Sequence, residues 1–157
     1  MSKLKAELIK YSKKINITNL SVLRSGSISV RAKEKGLDGF YVTPADIKYS
    51  SLKTKDIVFV TLKGVFDKKK NKPSLEWRLH QDIYVNKKEA KAIVHAQSIC
   101  ASAVSSHQKN IPAFHYRVAV AGGEDLKCTK YATFGTKQLS KNIITALKNR
   151  SACLIAN

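Results

Sequence analysis

Hydrophobic positions recur at helical spacing in several parts of the chain. Across positions 3–15, leucine, isoleucine and tyrosine side chains follow one another every three to four residues, which predicts an amphipathic helix. A second helical pattern begins after Ser74, a residue type that favours helix N-caps. A third runs over 140–150 behind Ser140, and a shorter helix is predicted over 101–106.

Alternating and β-branched apolar runs predict the strands. Residues 27–32 alternate between polar and apolar side chains, and residues 40–43 return after a glycine-containing connection, which predicts an antiparallel hairpin. Residues 56–62 form a nearly continuous apolar run, typical of a buried strand. Further strands are predicted over 65–67, 92–98, 131–135 and 152–156.

This order of elements indicates an α/β protein, layered as a sandwich around a mostly antiparallel or mixed sheet. Residues 1–157 contain no internal repeat and no linker, so we expect a single domain. The last predicted strand stops at Asn157 with no turn or tail after it. We therefore expect that the chain is truncated on its C-terminal side.

Charge is the most unusual feature of the composition. The chain has 29 Lys and Arg against 11 Asp and Glu, a net charge of +18. Such an imbalance raises nucleic acid as a partner. The basic residues are scattered, however, and the one dense cluster, 68–72, contains no aromatic residue, so nucleic-acid binding is not the expected function. A diffuse positive field favours a phosphorylated substrate instead.

Neither a membrane span nor a disulfide framework is predicted. No apolar run approaches the roughly 20 residues that a span needs, and the basic N-terminus lacks the apolar core of a signal peptide. We therefore expect a cytoplasmic protein with no membrane partner. The three cysteines, Cys100, Cys128 and Cys153, are odd in number and far apart, which predicts buried free thiols.

Candidate chemistry concentrates in residues 73–98. Glu76 opens the helical pattern, and the following strand carries His95 and Gln97, which point to one face because they are two residues apart. A carboxylate and an imidazole together are half of a metal site. A purely structural role for Glu76 stays open, since the helix dipole alone favours a glutamate in the first turn.

The other histidines have simpler readings. His80 lies one helical turn after Glu76 and is expected to be a packed or solvated helix residue. His115 stands in an apolar stretch and is expected in a core or an interface, whereas His107 is expected at the surface.

Seven stretches carry a family resemblance, and the last two are the longest: GSISVR, YVTPADIKYSSL, DIVFV, PSLEWRLHQDIY, AIVHAQS, IPAFHYRVAVAGG and YATFGTKQLSKNIITALKNR. Together they resemble the class II aldolase/adducin family over essentially the whole chain. The resemblance implies a three-layer αβα sandwich with a mostly antiparallel or mixed central sheet, continuing in the family past this chain's end. It also implies Zn²⁺-dependent aldol cleavage of a sugar phosphate, such as a ketose 1-phosphate, by a homotetramer.

The resemblance implies roles for individual residues. Glu76 matches the glutamate that shuttles the proton and is expected to be a metal ligand as well, and His95 matches the first zinc ligand. Gln97 stands where the family has a second histidine, and the third would fall after Asn157. Tyr116 matches a tyrosine that reaches the active site of a neighbouring subunit.

The phosphate-binding positions also depart from the family pattern. Ser27 stands where the family has an asparagine, and Ser74 remains from a pair of serines. Ala45 and Asp46 replace a threonine and a glycine, and the negative charge of Asp46 would repel a phosphate.

These departures predict an incomplete metal site and an enzyme that is impaired or inactive. Two alternatives stay open. The chain is either a non-catalytic interaction module, as in the adducin branch of the family, or a degraded remnant of an aldolase.

Overall fold

The structure is a computed structural model, and it describes residues 2–21 and 26–156. The chain divides into two compact units, Met1–Ser98 and Ile99–Asn157. The predicted single domain over residues 1–157 stays a prediction. None of the helices in the described residues is long and apolar enough to cross a membrane.

The first unit contains a four-stranded antiparallel sheet and two helices. Its strands pair in the order β3-β2-β1-β4, with every pairing antiparallel. The elements, in chain order, are α1 (Ser2–Ile17), β1 (Ser27–Glu34), β2 (Leu37–Val42), β3 (Val58–Thr61), α2 (Trp77–Asn86) and β4 (Ala92–His95).

Both faces of this sheet are covered, which explains why β2 is apolar on successive residues. Tyr41 faces α1 and packs in one cluster with Leu8 of that helix. Phe40 faces the other way, into a cluster with Tyr84 of α2. The predicted α/β sandwich with an antiparallel sheet is therefore confirmed.

The connection between β1 and β2 is shorter than predicted. Only Lys35 and Gly36 form the turn, and both have positive φ, of 51° and 79°. Two residues of positive φ make a type I′ turn, whose twist matches that of the strands it joins. The strands therefore extend two to three residues into the segment that was predicted as a loop.

The second unit consists mainly of short elements. It contains the helices α3 (Ile99–Ser106) and α4 (Lys137–Ala146) and a 3₁₀ segment, Tyr116–Ala121. Isolated bridges join Ile111 to Leu126 and Cys128 to Leu154.

Three predicted strands are wrong. Residues 131–135 run from irregular backbone into a turn, and residues 152–156 form only the single bridge at Leu154. Residues 65–67 follow a turn at Gly64 without joining the sheet. Short apolar runs lack the cross-strand partners that make a strand, and sequence periodicity does not reveal those partners.

Two further expectations need correction in the second unit. Thr136, not Ser140, caps α4: its hydroxyl oxygen accepts from the Leu139 N–H at 3.2 Å. The cysteines are free thiols as expected, but Cys100 is exposed and Cys128 and Cys153 are only partly buried. Burial nevertheless raises the pKa of the Cys153 thiol to about 12, with a smaller contribution from Cys128.

Candidate functional site

Four segments of the first unit meet where β1 begins and β4 ends. In the β1–β4 pairing, Ser27 lies directly opposite His95. The chain leaving β2 runs beside the segment before α2, since Ser74 donates its N–H to the Thr43 carbonyl at 2.9 Å. The same edge of the sheet therefore gathers backbone from 26–27, 43–45, 73–76 and 95–97.

A glycine permits the closest of these approaches. Gly26 has a φ of 123°, and a Cβ built there would lie 2.7 Å from the His95 carbonyl oxygen. A side chain at this position would clash with backbone that has no room to move. Gly26 therefore allows the start of β1 to lie against the end of β4.

The central feature of this edge is a contact between Glu76 and His95. Glu76 is the N-cap residue of α2, but its side chain makes no capping hydrogen bond. Its carboxylate Oε2 instead contacts His95 Nδ1, and the two side chains are 22% and 13% exposed. Both predicted residues are thus brought together, partly shielded from water.

The contact has a defined chemistry. An ionised carboxylate only accepts hydrogen bonds, so His95 donates through its Nδ1–H. When the ring is neutral, Nε2 is left with a free lone pair that can accept a proton or a metal ion. Such a carboxylate–imidazole pair can hold a proton and pass it on, which is the elementary requirement of acid–base catalysis.

Tyr49 also belongs to this edge, although the sequence analysis did not single it out. It is buried, and its hydroxyl donates to the Gly26 carbonyl at 2.7 Å. Burial raises the pKa of Tyr49, and the nearby Glu76 carboxylate raises it further, although a hydrogen bond with Thr43 opposes them. The phenol is therefore neutral near pH 7 and serves as a hydrogen-bond donor.

The two predicted phosphate-binding serines have different surroundings. Ser74 is partly exposed, and its hydroxyl oxygen accepts from the Glu76 N–H at 3.4 Å. Ser27 is fully buried, and its hydroxyl lies 2.8 Å from His80 Nε2. Ser74 is thus accessible at the edge of the sheet, whereas the Ser27 hydroxyl is engaged in the interior.

Gln97 continues from the end of β4. Its N–H donates to the Leu20 carbonyl at 2.9 Å, and it forms a parallel bridge with Ser21. The backbone at this residue is therefore held, two positions beyond His95.

The donor set does not fit a catalytic zinc ion. Such sites use three protein ligands and one open position. Among residues 2–21 and 26–156, no three His, Cys, Asp or Glu side chains cluster closely enough to hold a metal ion. Glu76 and His95 supply two donors, and the amide of Gln97 is a weak ligand compared with an imidazole.

Tyr116 lies in the second unit, at the start of the 3₁₀ segment. It is 73% exposed, and its ring packs against His115 with centroids 4.4 Å apart. Its predicted role in a neighbouring subunit stays a prediction.

A cavity of about 460 Å³ in the second unit has three charged residues in its lining that pair with one another. Asp125 lies 2.7 Å from the Lys127 ammonium and 2.9 Å from the Arg150 guanidinium. The hydrogen bond from Lys127 lowers the pKa of Asp125 most, and the Arg150 charge adds to this. These charges satisfy one another and indicate a structural role.

The fold and the Glu76–His95 pair at the edge of its sheet can now be compared with known proteins. Residues 6–157 match the family described as Class II Aldolase and Adducin N-terminal domain, and this chain belongs to that family. The resemblance noted in the sequence is therefore confirmed.

Several characterised proteins are similar to this chain. A 5-methylthioribulose-1-phosphate/5-deoxyribulose-1-phosphate aldolase of Rhodospirillum rubrum is 37% identical over 150 residues, which are 96% of this chain and 66% of that protein. An L-fuculose phosphate aldolase of Escherichia coli K12 is 42% identical over 131 residues, 83% of this chain and 59% of that protein. The chain thus spans about three fifths to two thirds of these relatives.

Solved structures agree with the fold. An L-fuculose 1-phosphate aldolase has a TM-score of 0.91 at 37% identity, covering 100% of this chain and 73% of that one. The L-fuculose-1-phosphate aldolase from Thermus thermophilus has a TM-score of 0.83 at 22% identity, covering 99% and 76%. The second likeness shows the fold alone.

Proposed function

We propose that this protein is of the class II aldolase type and is directed at a sugar phosphate, such as a ketose 1-phosphate. The observation that carries the proposal is the Glu76–His95 contact at the edge of the sheet. The names of two similar proteins, aldolases of fuculose phosphate and of methylthioribulose 1-phosphate, support this substrate class. The net charge of +18 favours a phosphorylated substrate as well.

In this proposal, cleavage of the carbon–carbon bond is impaired or absent. A bound Zn²⁺ would supply a Lewis acid for the negative charge that develops on the substrate oxygens. The described residues do not provide the ligands for it. Glu76 and His95 retain the capacity to hold and move a proton, which alone leaves that negative charge without a stabilising cation.

The remaining family roles belong to the same proposal. Ser74, at the edge of the sheet, binds the substrate phosphate, and Ser27 supports this position from the interior. Tyr116 is proposed to reach the site of a neighbouring subunit in a homotetramer. The cytoplasmic location is likewise an expectation.

The proposal is tested with the full chain, a panel of ketose 1-phosphates and an assay for the released keto phosphate. We expect little or no cleavage and no stoichiometric zinc by metal analysis. Glu76→Gln, which keeps the shape of the side chain but not its basicity, is the control for any cleavage that is seen. Stoichiometric zinc together with rapid cleavage by the unmodified chain would refute the impairment.

The substitution Gln97→His sharpens this test. It adds an imidazole two residues beyond His95, and with Glu76 it completes three ligands. We expect Co²⁺ affinity, followed by the visible absorption of the bound ion, to rise by about tenfold or more. Unchanged Co²⁺ binding in a folded Gln97→His protein would count against a metal site of the aldolase type at this edge.

A non-catalytic interaction module is the second candidate. Its supporting observation is a run of exposed apolar side chains in the second unit: Phe114, Tyr116 and Val120 are 74%, 73% and 77% exposed. Exposed apolar clusters mark surfaces that bind other proteins. Light scattering of the unmodified chain against Phe114→Ser and Tyr116→Ser tests it, with the exposed Tyr11→Ser of the first unit as control.

An interaction surface at 114–120 requires the serine variants to have a lower assembled mass and the control to keep it. A monomer that is unaffected by any of these substitutions would exclude self-association through this segment.

A further inference from the structure

A buried hydrogen-bonded network lies between β1 and α2, and only one of its members, Ser27, has a role in the proposed function. It consists of Ser27, Ser29, His80 and Tyr84, none more than 1% exposed. Ser27 Oγ lies 2.8 Å from His80 Nε2, and Ser29 Oγ lies 2.7 Å from His80 Nδ1. Ser29 Oγ also lies 2.9 Å from the Tyr84 hydroxyl.

Both ring nitrogens of His80 are therefore occupied. Burial, with a smaller contribution from nearby His95, lowers the pKa of His80 to about 3, so the ring is neutral. A neutral imidazole has one donor and one acceptor, and each hydroxyl has one proton to give. The ring therefore accepts from one serine hydroxyl and donates to the other, and the tautomer decides which serine is the donor.

Because of the spacing of these residues, the network joins α2 to β1 at two places. Ser27 and Ser29 are two apart on a strand and share one face, while His80 and Tyr84 are four apart on a helix and share one side. Two such points fix both the rotation of α2 about its axis and its position along β1. Apolar contacts alone do not impose a direction in this way.

The network also reaches both members of the site pair. Glu76 stands one helical turn before His80, at the start of the same helix. Ser27 lies directly opposite His95 in the sheet. A backbone hydrogen bond from Ile93 of β4 reaches Tyr84, so the strand that carries His95 is joined to the network at a second place.

We propose that His80 is a positioning residue, which holds the start of α2 against the start of β1 and thereby sets the contact between Glu76 and His95. The catalytic importance of this role rests on the proposed function. The positioning itself does not, because it concerns the geometry of the contact and can be measured without any substrate.

The test follows the His95 Nδ1 proton by NMR at one fixed pH in the full chain, with His95 ring nitrogens assigned by ¹⁵N labelling. His80→Leu removes both ring bonds, and His80→Gln keeps one donor and one acceptor in a side chain of similar reach. Ile83→Ala is the matched control, because Ile83 is buried in the same helix and contributes only apolar contacts.

We expect loss or a large shift of the His95 proton signal in His80→Leu, and its retention in His80→Gln and Ile83→Ala. A folded His80→Leu protein with an unchanged signal would overturn the proposal. So would an equal loss in Ile83→Ala, since general loosening of the helix would then explain the effect.

A further variant covers the case in which His80→Leu does not fold. Ser29→Ala removes one of the two ring partners and leaves the histidine in place. We expect a smaller shift of the His95 signal, and no shift would overturn the proposal. Cleavage and zinc content of the unmodified chain are measured separately and bear only on the proposed function. The His95 signal of the variants bears only on the positioning role.

Discussion

The two faces of the sheet in the first unit are packed with different kinds of side chain. The face towards α1 is mainly apolar, with Leu8 and Ile15 packed against Ile28 and Tyr41. The face towards α2 combines an apolar cluster around Phe40 with the His80 network. We call the side towards α1 the apolar face and the side towards α2, which holds the His80 network, the polar face. The site pair is built from α2 and β4, and Glu76 belongs to the polar face.

The difference shows how burial and direction are divided within one small sheet. Apolar burial stabilises without preferring one orientation, because it depends on the area removed from water. Hydrogen bonds have a narrow range of distance and angle, and a buried group left without its partner is costly. The polar face therefore holds an arrangement that a functional pair requires, and the apolar face supplies stability.

The largest expected effect is a dependence of stability on pH, which arises from His80 on the polar face and has no counterpart on the apolar face. The pKa of His80 is lowered from 6.5 to about 3 by burial and by nearby His95, so the unfolded chain binds the extra proton more readily. The contribution of the neutral His80 ring to the free energy of unfolding is fully present above pH 6.5 and is lost as the pH falls towards 3. The free energy of unfolding should decrease by up to about 1.4 kcal/mol per pH unit, on the order of 4 kcal/mol in all.

Denaturant unfolding of the unmodified chain and of His80→Gln, measured from pH 7 to pH 3, checks this expectation. The polar or titratable groups around the His80 ring are Ser27 and Ser29 of β1, Tyr84 of α2 and His95 of β4. Carboxylates elsewhere titrate equally in both proteins, so the difference isolates His80. Parallel curves for the two proteins would contradict the expected dependence.

Truncation on the apolar face should affect stability alone. Leu8→Ala removes a side chain that is 3% exposed, and we expect a loss of about 3 kcal/mol at every pH. The His95 NMR signal of the folded variant should be unchanged, because α1 has no part in the polar network. A shift of that signal would show that the two faces are not independent.

Arg31 links β1 to the end of α2, and its replacement should have an intermediate effect. Its guanidinium donates to the carbonyls of Ala90, Tyr84 and Lys87 at 2.8, 2.7 and 3.0 Å. Arg31→Lys keeps the charge but cannot reach three acceptors, so we expect a loss of about 1 to 2 kcal/mol in thermal or denaturant unfolding. An unchanged midpoint would mean that water replaces these bonds without cost.

The smallest effect is expected at the exposed hairpin. Lys33 and Asp38 lie 3.8 Å apart, with side chains 64% and 71% exposed. Asp38→Asn should change the free energy of unfolding by less than about 0.5 kcal/mol, because exposed ion pairs contribute little. If Asp38→Asn lowered the free energy of unfolding as much as Arg31→Lys, solvent exposure would be a poor predictor of how much these contacts contribute to stability.

Much of the fold was predictable because its signals are local. Residues 40–42 are apolar in succession, and they are buried on both faces of the sheet. Glu76 and His95 were named from the family pattern, and the structure brings them into contact. The errors fall on short apolar runs such as 131–135, where the sequence does not show which backbone a segment will meet.

The sequence by itself therefore determined the helices, the paired strands and the family, because periodicity and motif are properties of neighbouring residues. Only the tertiary structure decided the surroundings of His80. Its partners Ser27 and Ser29 stand 53 and 51 residues earlier in the chain. A histidine expected to be packed or solvated becomes a neutral, fully bonded ring only when α2 folds onto β1, since burial and hydrogen bonding depend on what the fold places around it.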